Sequence, residues 1–527
     1  MGLQGLDCVD SGFSNTFYQN VLHHPESMPY NFNYYLTGLV GGVWHAIFAP
    51  LGMQGFRLLE ALTLSAAIAF MFLSFRRSLV STRVAMAAIG LSFLFPSIVV
   101  TFHYNTLSFL FVAISIYCCS RSAQGQPTLF LWLSGVALGI GFFARIVNMA
   151  LLGLLLVPLC HGYITKNLHG GLRQAGLLAG GIATGCLLVL GLMSVLGHLP
   201  YFLDTLAEDF GFLNGTQNSH GSGNLLTVYL KSYVNIGLQL LALLLFYALY
   251  LATQHLSSGW SNTVNAVLAV LTMALILTSQ PYLSAVALCI LLCMALFCCT
   301  DIAGQRLSLV LYALAATLLL PMGSDIGIPG IFHWTGGLLI FPAATFWPMA
   351  NIRQRHAIGL CALLIGAVMA GRTAWKAYGE EGSRLACTQM VQPNRLNTLT
   401  EPQKARTLLH IIDRICQHST DNPWLVFGNQ ASELYYATAR KPFLGNTQLG
   451  TYTGQGLSEQ LDRRLATTGQ APVVVFLHDK YHFSNDDAAT QQILSNWMHA
   501  YGYQIACDDS CLTIYTPMAK TIKKKKS

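Results

Sequence analysis

Apolar runs long enough to cross a bilayer recur along this chain, and they leave it few ways to fold. A run of about 20 apolar residues spans the hydrocarbon core as a helix, because a helix satisfies its own backbone polar groups where no water can. Candidate spans fall at 56–75, 84–102, 106–119, 129–144, 147–160, 174–197, 226–252, 263–280, 282–299, 307–321, 333–350 and 357–375. Only 10% of the 527 residues are charged, against roughly 25% in a soluble protein. The chain therefore reads as an α-helical polytopic membrane protein of about 12 spans. A weaker run, 35–51, carries Gly38, Gly41, Gly42 and His45 and reads as a short interfacial helix. The stretch 129–160 is too long for one span and has Arg145 at its middle, so it reads as two short helices meeting near a membrane face.

Loop charges set the orientation, since cytoplasmic loops are enriched in Lys and Arg. Arg76, Arg77, Arg83, Arg121, Lys166, Arg173, Arg306, Arg353 and Arg355 mark one side. His103-Tyr104-Asn105, Arg145, the acidic loop with Asp204, Glu208 and Asp209, Gln280-Pro281 and Ser324-Asp325 mark the other. The alternation puts the opening residues and everything after Trp375 outside the cytoplasm. The net charge of +7 includes four consecutive lysines at 523–526, and most other cations sit in short loops. They report topology, and a nucleic-acid partner is not indicated. An external amino terminus without a preceding span or a signal sequence is unusual. It leads to the expectation that a first membrane helix precedes Met1, which amino-terminal sequencing of the native protein would test.

From about residue 376 the long apolar runs stop. Residues 423–428 (PWLVFG) and 471–479 (APVVVFLHD) read as buried strands, and 503–517 as a terminal hairpin turning at Asp508-Asp509-Ser510. Helical patterns at 401–417, 430–440, 456–468 and 487–501 alternate with them, as in a small α/β domain. Three parts result: a first loop with interfacial helices (1–55), a transmembrane domain (56–375) and a soluble extracytoplasmic α/β domain (376–527). Cys387, Cys416, Cys507 and Cys511 lie in the last part, where disulfides and free buried thiols are equally open readings. No P-loop, dinucleotide fingerprint, HExxH or GxSxG elbow is present. The glycine pairs 135/139, 176/180 and 181/185 have helix-packing spacing.

The polar, aromatic stretch 6–38 precedes the first strong span and carries two carboxylates, Asp7 and Asp10. A carboxylate at a membrane surface can serve as general base toward an acceptor, or ligate a divalent cation that holds a phosphate, with Asp7 assisting. The bland reading of Asp10 is a turn or cap with Ser11-Gly12. Arg145, flanked by apolar residues in GFFARIVN, is costly in a membrane; its planar fork suits phosphate, and a snorkelling anchor is the alternative. His103, Tyr104 and Asn105 join two spans and offer hydrogen bonds to a sugar or lipid phosphate, or form a polar loop with an interfacial tyrosine. Asp325, in Met322–Gly327, either faces the same cavity or is a turn residue between glycines. Loop 199–225 either gates a site or simply connects, and residues 478–482 (HDKYH) read as a solvated loop.

Four of these segments together resemble the GT-C membrane glycosyltransferases, in particular the protein O-mannosyltransferase and aminoarabinose-transferase group. VDSGFSNTFYQN is similar to that group's acidic first-loop motif; FHYNTLSFLF to a segment opening a later span; GVALGIGFFARIVNMALL to a Gly-rich segment ending in a basic residue; GSDIGI to a late outer-loop motif. The resemblance implies an inverting transfer of a sugar from a polyprenyl-phosphate carrier to a glycan, lipid or protein acceptor on the outer face of a bacterial inner membrane. It makes Asp10 the base, and Arg145 the holder of the carrier phosphate. Asn105 stands where many members carry an acid, so metal use is left open, with Asp7 and Asp10 as ligands if a divalent cation takes part. A flippase for lipid-linked glycans and a catalytically silent scaffold of the same fold are the competing readings.

Overall fold

The computed structural model describes residues 3–518 apart from 8–9, 80, 96–100, 126, 214–221, 254, 257, 279–280, 300–304, 325, 392–394, 419–421, 429–430, 450–454 and 479–486; the side chains of 208–213, 222–224, 258, 299, 305–306 and 455 are likewise outside the description. Asp325, most of 478–482 and the tail 523–526 therefore lie outside the described residues.

The chain opens with α1 (Asp10–Asn20), two 3-10 turns and α2 (Tyr35–Phe48). The membrane region follows as α3 (Met53–Phe75), α4 (Thr82–Leu94), α5 (Tyr104–Ala123), α6 (Leu129–Gly141), α7 (Leu156–Ile164), α8 (Leu168–Val195), α9 (Leu199–Leu213), α10 (Ser222–Thr253), α11 (Ser258–Thr278), α12 (Pro281–Cys299), α13 (Gln305–Leu319), α14 (Gly327–Thr335), α15 (Gly337–Ala344) and α16 (Ile352–Trp375). Among the described residues, 8 helical segments are long and apolar enough to cross a membrane, and Thr82–Leu94, Leu129–Ala144 and Leu307–Leu319 are shorter apolar helices. These account for all the expected spans but 333–350. That run is two short helices, α14 and α15, which bend at Gly336 with Pro342 inside the second. Both are buried almost throughout, so their apolar character serves the core of the bundle and not contact with lipid.

Two kinds of contact hold the bundle. The first is backbone approach between α6 and α8. A Cβ on Gly135 or Gly139 would lie 2.1 or 2.2 Å from the carbonyl oxygen of Leu178 or Ile182, and one on Gly181 or Gly185 would lie 2.1 or 2.4 Å from that of Trp132 or Val136. Small residues are required there, since association within lipid depends on close packing. Gly176 and Gly180 share the spacing, but a Cβ on either meets nothing within 4 Å, so packing does not explain them. The second contact is polar: Ser115 on α5 bonds with Ser134 on α6 at 2.7 Å and with the Tyr312 hydroxyl on α13 at 2.8 Å.

The C-terminal part carries β1 (Gln389–Val391), β2 (Thr398–Thr400), α17 (Pro402–Gln417), β3 (Trp424–Phe427), α18 (Ser432–Thr438), α19 (Gln455–Thr468), β4 (Val473–Leu477), α20 (Ala488–Ala500), β5 (Tyr503–Asp508) and β6 (Leu512–Pro517). Strands β3, β4, β6 and β5 form one sheet in that order, with β3 parallel to β4 and the remaining pairs antiparallel. Every residue of β3 and β4 is buried. That is why both read as unbroken apolar runs: strands covered on both faces need no polar alternation. Cys387, Cys416, Cys507 and Cys511 are all free thiols.

The start of the chain is built into this C-terminal part. Leu3 and Gly5 exchange backbone hydrogen bonds with Leu399 of β2, at 2.7 and 2.9 Å. The Leu6 N–H donates to Glu380 at 2.7 Å, and the buried Lys404 ammonium donates to the Leu6 carbonyl at 2.7 Å beside the same carboxylate. Arg57 of α3 donates to the Gly5 carbonyl. Helix α1 then lies against α18, where a Cβ on Gly12 would come 2.1 Å from the Glu433 backbone nitrogen. Only glycine lets these two helices meet.

Candidate functional site

Asp7 caps α1: its Oδ2 accepts from the Ser11 amide at 2.8 Å and from the Ser11 hydroxyl at 3.0 Å. A carboxylate suits this end of a helix, where unsatisfied amides and the macrodipole favour negative charge. Asp10, the first residue of the helix, is exposed. Both carboxylates raise the pKa of the neighbouring Tyr378 hydroxyl, after burial as the main cause. Below them α1 is buried although it is polar, because its side chains find partners. Asn15 Oδ1 accepts from the Thr101 hydroxyl at 2.8 Å, and the Tyr18 hydroxyl donates to the Phe102 carbonyl at 2.9 Å. Those two bonds seat α1 on the segment that leads into His103.

His103 is the N-cap of α5, and its Nδ1 accepts from the Asn105 amide at 3.3 Å. Its ring stacks on Trp334 at 4.8 Å. Burial, and then the charge of Arg145, push its pKa down to about 3, so it is neutral at physiological pH and carries its proton on Nε2. Asn105 is buried and takes part here through that amide. Tyr104 stands between two partners, with the Tyr34 ring stacked on it at 4.4 Å and the Arg145 guanidinium 5.4 Å from its centroid.

Arg145 occupies an extended residue between two 3-10 segments, Phe142–Ala144 and Ile146–Leu155. This is where the long apolar stretch breaks, as expected from the sequence. The break is held by Thr37, whose hydroxyl donates to the Ala144 carbonyl at 2.9 Å, and by Asn148, whose amide donates to Ser108 Oγ at 2.7 Å and to the Gly141 carbonyl at 2.9 Å. Arg145 is 7% exposed. One of its nitrogens, Nη2, donates to the Gly323 carbonyl at 3.0 Å, while Nη1 is buried with no hydrogen-bond partner among the described residues. Gly323 has φ +77, and a Cβ there would lie 2.8 Å from Val147, so glycine is needed for this approach. Arg145 forms no ion pair with any described residue.

Residues far apart in sequence are thereby brought together. Phe13 of α1 meets Tyr34 edge-on at 6.0 Å, Tyr34 stacks on Tyr104, and Arg145 lies over Tyr104 and reaches the 322–324 turn. Three groups had not stood out in the sequence. Glu60, in the second turn of α3, accepts from the His103 amide at 3.1 Å and from the Thr106 hydroxyl, so it caps α5 from a neighbouring helix. An acid inside the run FRLLEALTL was its signal. Asn31 and Tyr34 belong to the aromatic-amide alternation YNFNYY, which fits a 3-10 turn packed against rings. Elsewhere, His410, Asp509 and Cys511 place ligand-type atoms within 4.8 Å of one another. Asp509 is already engaged by Arg414 at 3.1 Å, His410 at 3.0 Å and the Cys511 and Leu512 amides, so this cluster is accounted for as the brace of the β5–β6 turn.

The helices and the mixed sheet define a polytopic α-helical membrane protein with a C-terminal α/β domain. No family model matches the chain, and no curated protein matches it. Among solved structures, ArnT from Cupriavidus metallidurans bound to undecaprenyl phosphate is similar at 13% identity and a TM-score of 0.40, over 97% of this chain and 96% of that one. A likeness at that score carries no argument about activity, and the fold class stands on the chain's own helices and strands.

Proposed function

We propose that this chain is an integral-membrane glycosyltransferase that moves a sugar from a polyprenyl-phosphate carrier to a glycan, lipid or protein acceptor. The observation that carries this reading is Arg145: a buried guanidinium over an aromatic ring, with Nη1 unpartnered among the described residues, at the broken end of a membrane helix. A buried cation with no carboxylate partner among the described residues, at such a place, suits an anion that arrives with a lipid. Neutral His103 beside it adds no competing positive charge.

In this reading Arg145 binds the carrier phosphate. Asp10, exposed at the start of α1, takes the proton of the acceptor hydroxyl as its oxygen attacks the anomeric carbon from the face opposite the phosphate. The bond from that carbon to the phosphate oxygen breaks, the phosphate stays on the lipid against Arg145, and the configuration inverts. The leaving group is already good, so the protein supplies position and charge, and no covalent intermediate is needed. His103, Tyr104 and Asn105 frame the head of the substrate, and Asp325, which lies outside the described residues, is proposed as a further polar contact to it. The site faces the outer side of a bacterial inner membrane, as does the C-terminal domain. A divalent cation held by Asp7 and Asp10 remains an auxiliary proposal. The Asp7 carboxylate has a structural use as a helix cap, and chelation followed by metal add-back would show whether a cation is also needed. Where a flippase would need charges along its path, the charged side chains near the start of α3 are bonded to the chain itself.

Asp10→Asn and Arg145→Ala, each assayed for surface glycan composition and for accumulated polyprenyl-linked sugar, test the mechanism. Loss of product with accumulation of the donor is expected, at about 10²-fold or more for removal of a general base. Wild-type glycans from both variants at normal protein level would overturn it.

A further inference from the structure

Next to the Tyr104 ring lies a small cavity whose walls include Phe13, Phe17, Tyr18, Tyr34 and Tyr104, with Asn31, Ser14 and Thr37 as its polar members. The free space suits one polar substituent or a water molecule, and a whole sugar ring would not fit. Asn31 is 1% exposed, and both its Nδ2 and its Oδ1 lack hydrogen-bond partners among the described residues. A buried amide with neither end satisfied is destabilising, and folding alone gives no reason to hold one among aromatic rings. The backbone of Asn31 does not need the side chain either: its N–H donates to the Met28 carbonyl within the 3-10 turn.

We infer that this cavity is a subsite that reads a single hydroxyl substituent of the sugar carried by the lipid phosphate. The inference rests on the glycosyltransferase reading and adds a specificity determinant, Asn31, to it. An amide presents one donor edge and one acceptor edge, and a hydroxyl both donates and accepts, so a single hydroxyl satisfies both unmet groups. The aromatic walls provide surface for the C–H bonds of the carbon that bears it. The Thr37 hydroxyl donates its proton to the Ala144 carbonyl, and as a lining residue it has only acceptor capacity left. Tyr104 ties the subsite to the phosphate holder, since the same ring lines the cavity and lies 5.4 Å from the Arg145 guanidinium carbon. A phosphate at Arg145 and a hydroxyl at Asn31 are thus groups that one sugar-phosphate head can bring together.

The rejection of analogues follows from the same chemistry. A site built to hydrogen-bond a hydroxyl discriminates strongly against a ligand lacking it, because its own buried groups are left unpaired. The test uses the full chain in nanodiscs, titrated with undecaprenyl phosphate and with undecaprenyl phosphate carrying glucose, galactose or mannose, together with monodeoxy forms of each. Wild type is expected to bind at least one glycosylated carrier about tenfold or more tightly than the bare lipid, and to lose that gain for one deoxy position. Asn31→Leu, close in size, is expected to abolish the gain while leaving bare-lipid affinity within about twofold. Asn31→Gln displaces the amide and gives the same loss, which covers the case in which the leucine variant does not fold. A gain that survives both substitutions, or no gain for any of the three hexoses, overturns the subsite and assigns the cavity to an ordered water, with the transferase reading intact. Failure of wild type to bind the bare lipid overturns the transferase reading and the subsite with it.

Discussion

Glu433 shows how far a single side chain can depart from what its type suggests. It belongs to a helix of the α/β domain, yet it is fully buried against α1. Burial first, and then the Asp7 carboxylate, hold its pKa well above the usual carboxylate range; Arg57 and Lys404 oppose this only in part. The folded protein therefore keeps a proton that the unfolded chain gives up above its ordinary value of about 4.3. That stabilisation is complete below the unfolded pKa and is lost as pH rises through the folded one. Glu433→Gln removes the dependence. The midpoint of thermal unfolding of the variant, relative to wild type, should climb as pH rises above the ordinary carboxylate range. A difference that stays constant as pH rises would show that Glu433 does not carry the titration.

At the scale of elements, the candidate site depends on how α1 and α5 are seated. Helix α1 approaches α18 only because residue 12 has no side chain. Gly12→Val should cost about 1–3 kcal/mol, as overpacking does, and free the C-terminal part for limited proteolysis while the membrane helices stay intact; unchanged cleavage would argue against this seam. Helix α5 starts at the Tyr104 ring, and Glu60 holds the His103 amide and the Thr106 hydroxyl at that start. Glu60→Leu leaves the His103 amide and the Thr106 hydroxyl unsatisfied, at about 1–3 kcal/mol for such groups. Glu60→Gln retains an acceptor. The leucine variant should raise KM for the lipid donor, the glutamine variant should recover most of the affinity, and equal behaviour of the two would remove Glu60 from the positioning of Tyr104.

For the whole molecule, the decisive joint lies between the opening residues, α3 and the C-terminal domain. Lys404 is buried, paired with Glu380 at 3.9 Å, and bonded to the Leu6 carbonyl. Removing one member of a buried pair leaves an uncompensated charge, typically at 3–5 kcal/mol. Lys404→Met should lower the unfolding midpoint sharply, and Lys404→Met with Glu380→Gln should restore part of the loss. If the single and double variants unfold alike, the pair is not what joins the domain to the opening residues.

Much of this was legible along the chain, and the physical reason is local. Bilayer thickness imposes a length on each span, so nine long and short apolar helices besides the broken Arg145 stretch could be read from run length alone. Strands β3 and β4 announced themselves as continuous apolar runs because the sheet is covered on both faces. The polar breaks at His103 and Arg145 stood out for the same reason, since the apolar background makes each one costly. What no local pattern carries is the meeting of distant residues: Leu3 with Leu399, Gly12 with Glu433, Tyr34 with Tyr104, Arg145 with Gly323. The run 333–350 has the composition of a span but folds as two buried helices, because burial within protein and burial within lipid select the same side chains. The sequence by itself determined a membrane bundle with an α/β domain and marked Asp10 and Arg145 as residues of interest. Only the tertiary structure decided that Asp7 caps a helix, that Tyr104 joins the arginine to an amide-lined cavity, and that the chain's first residues belong to its last domain, because hydrogen bonds and ring contacts depend on proximity in space and not on spacing along the chain.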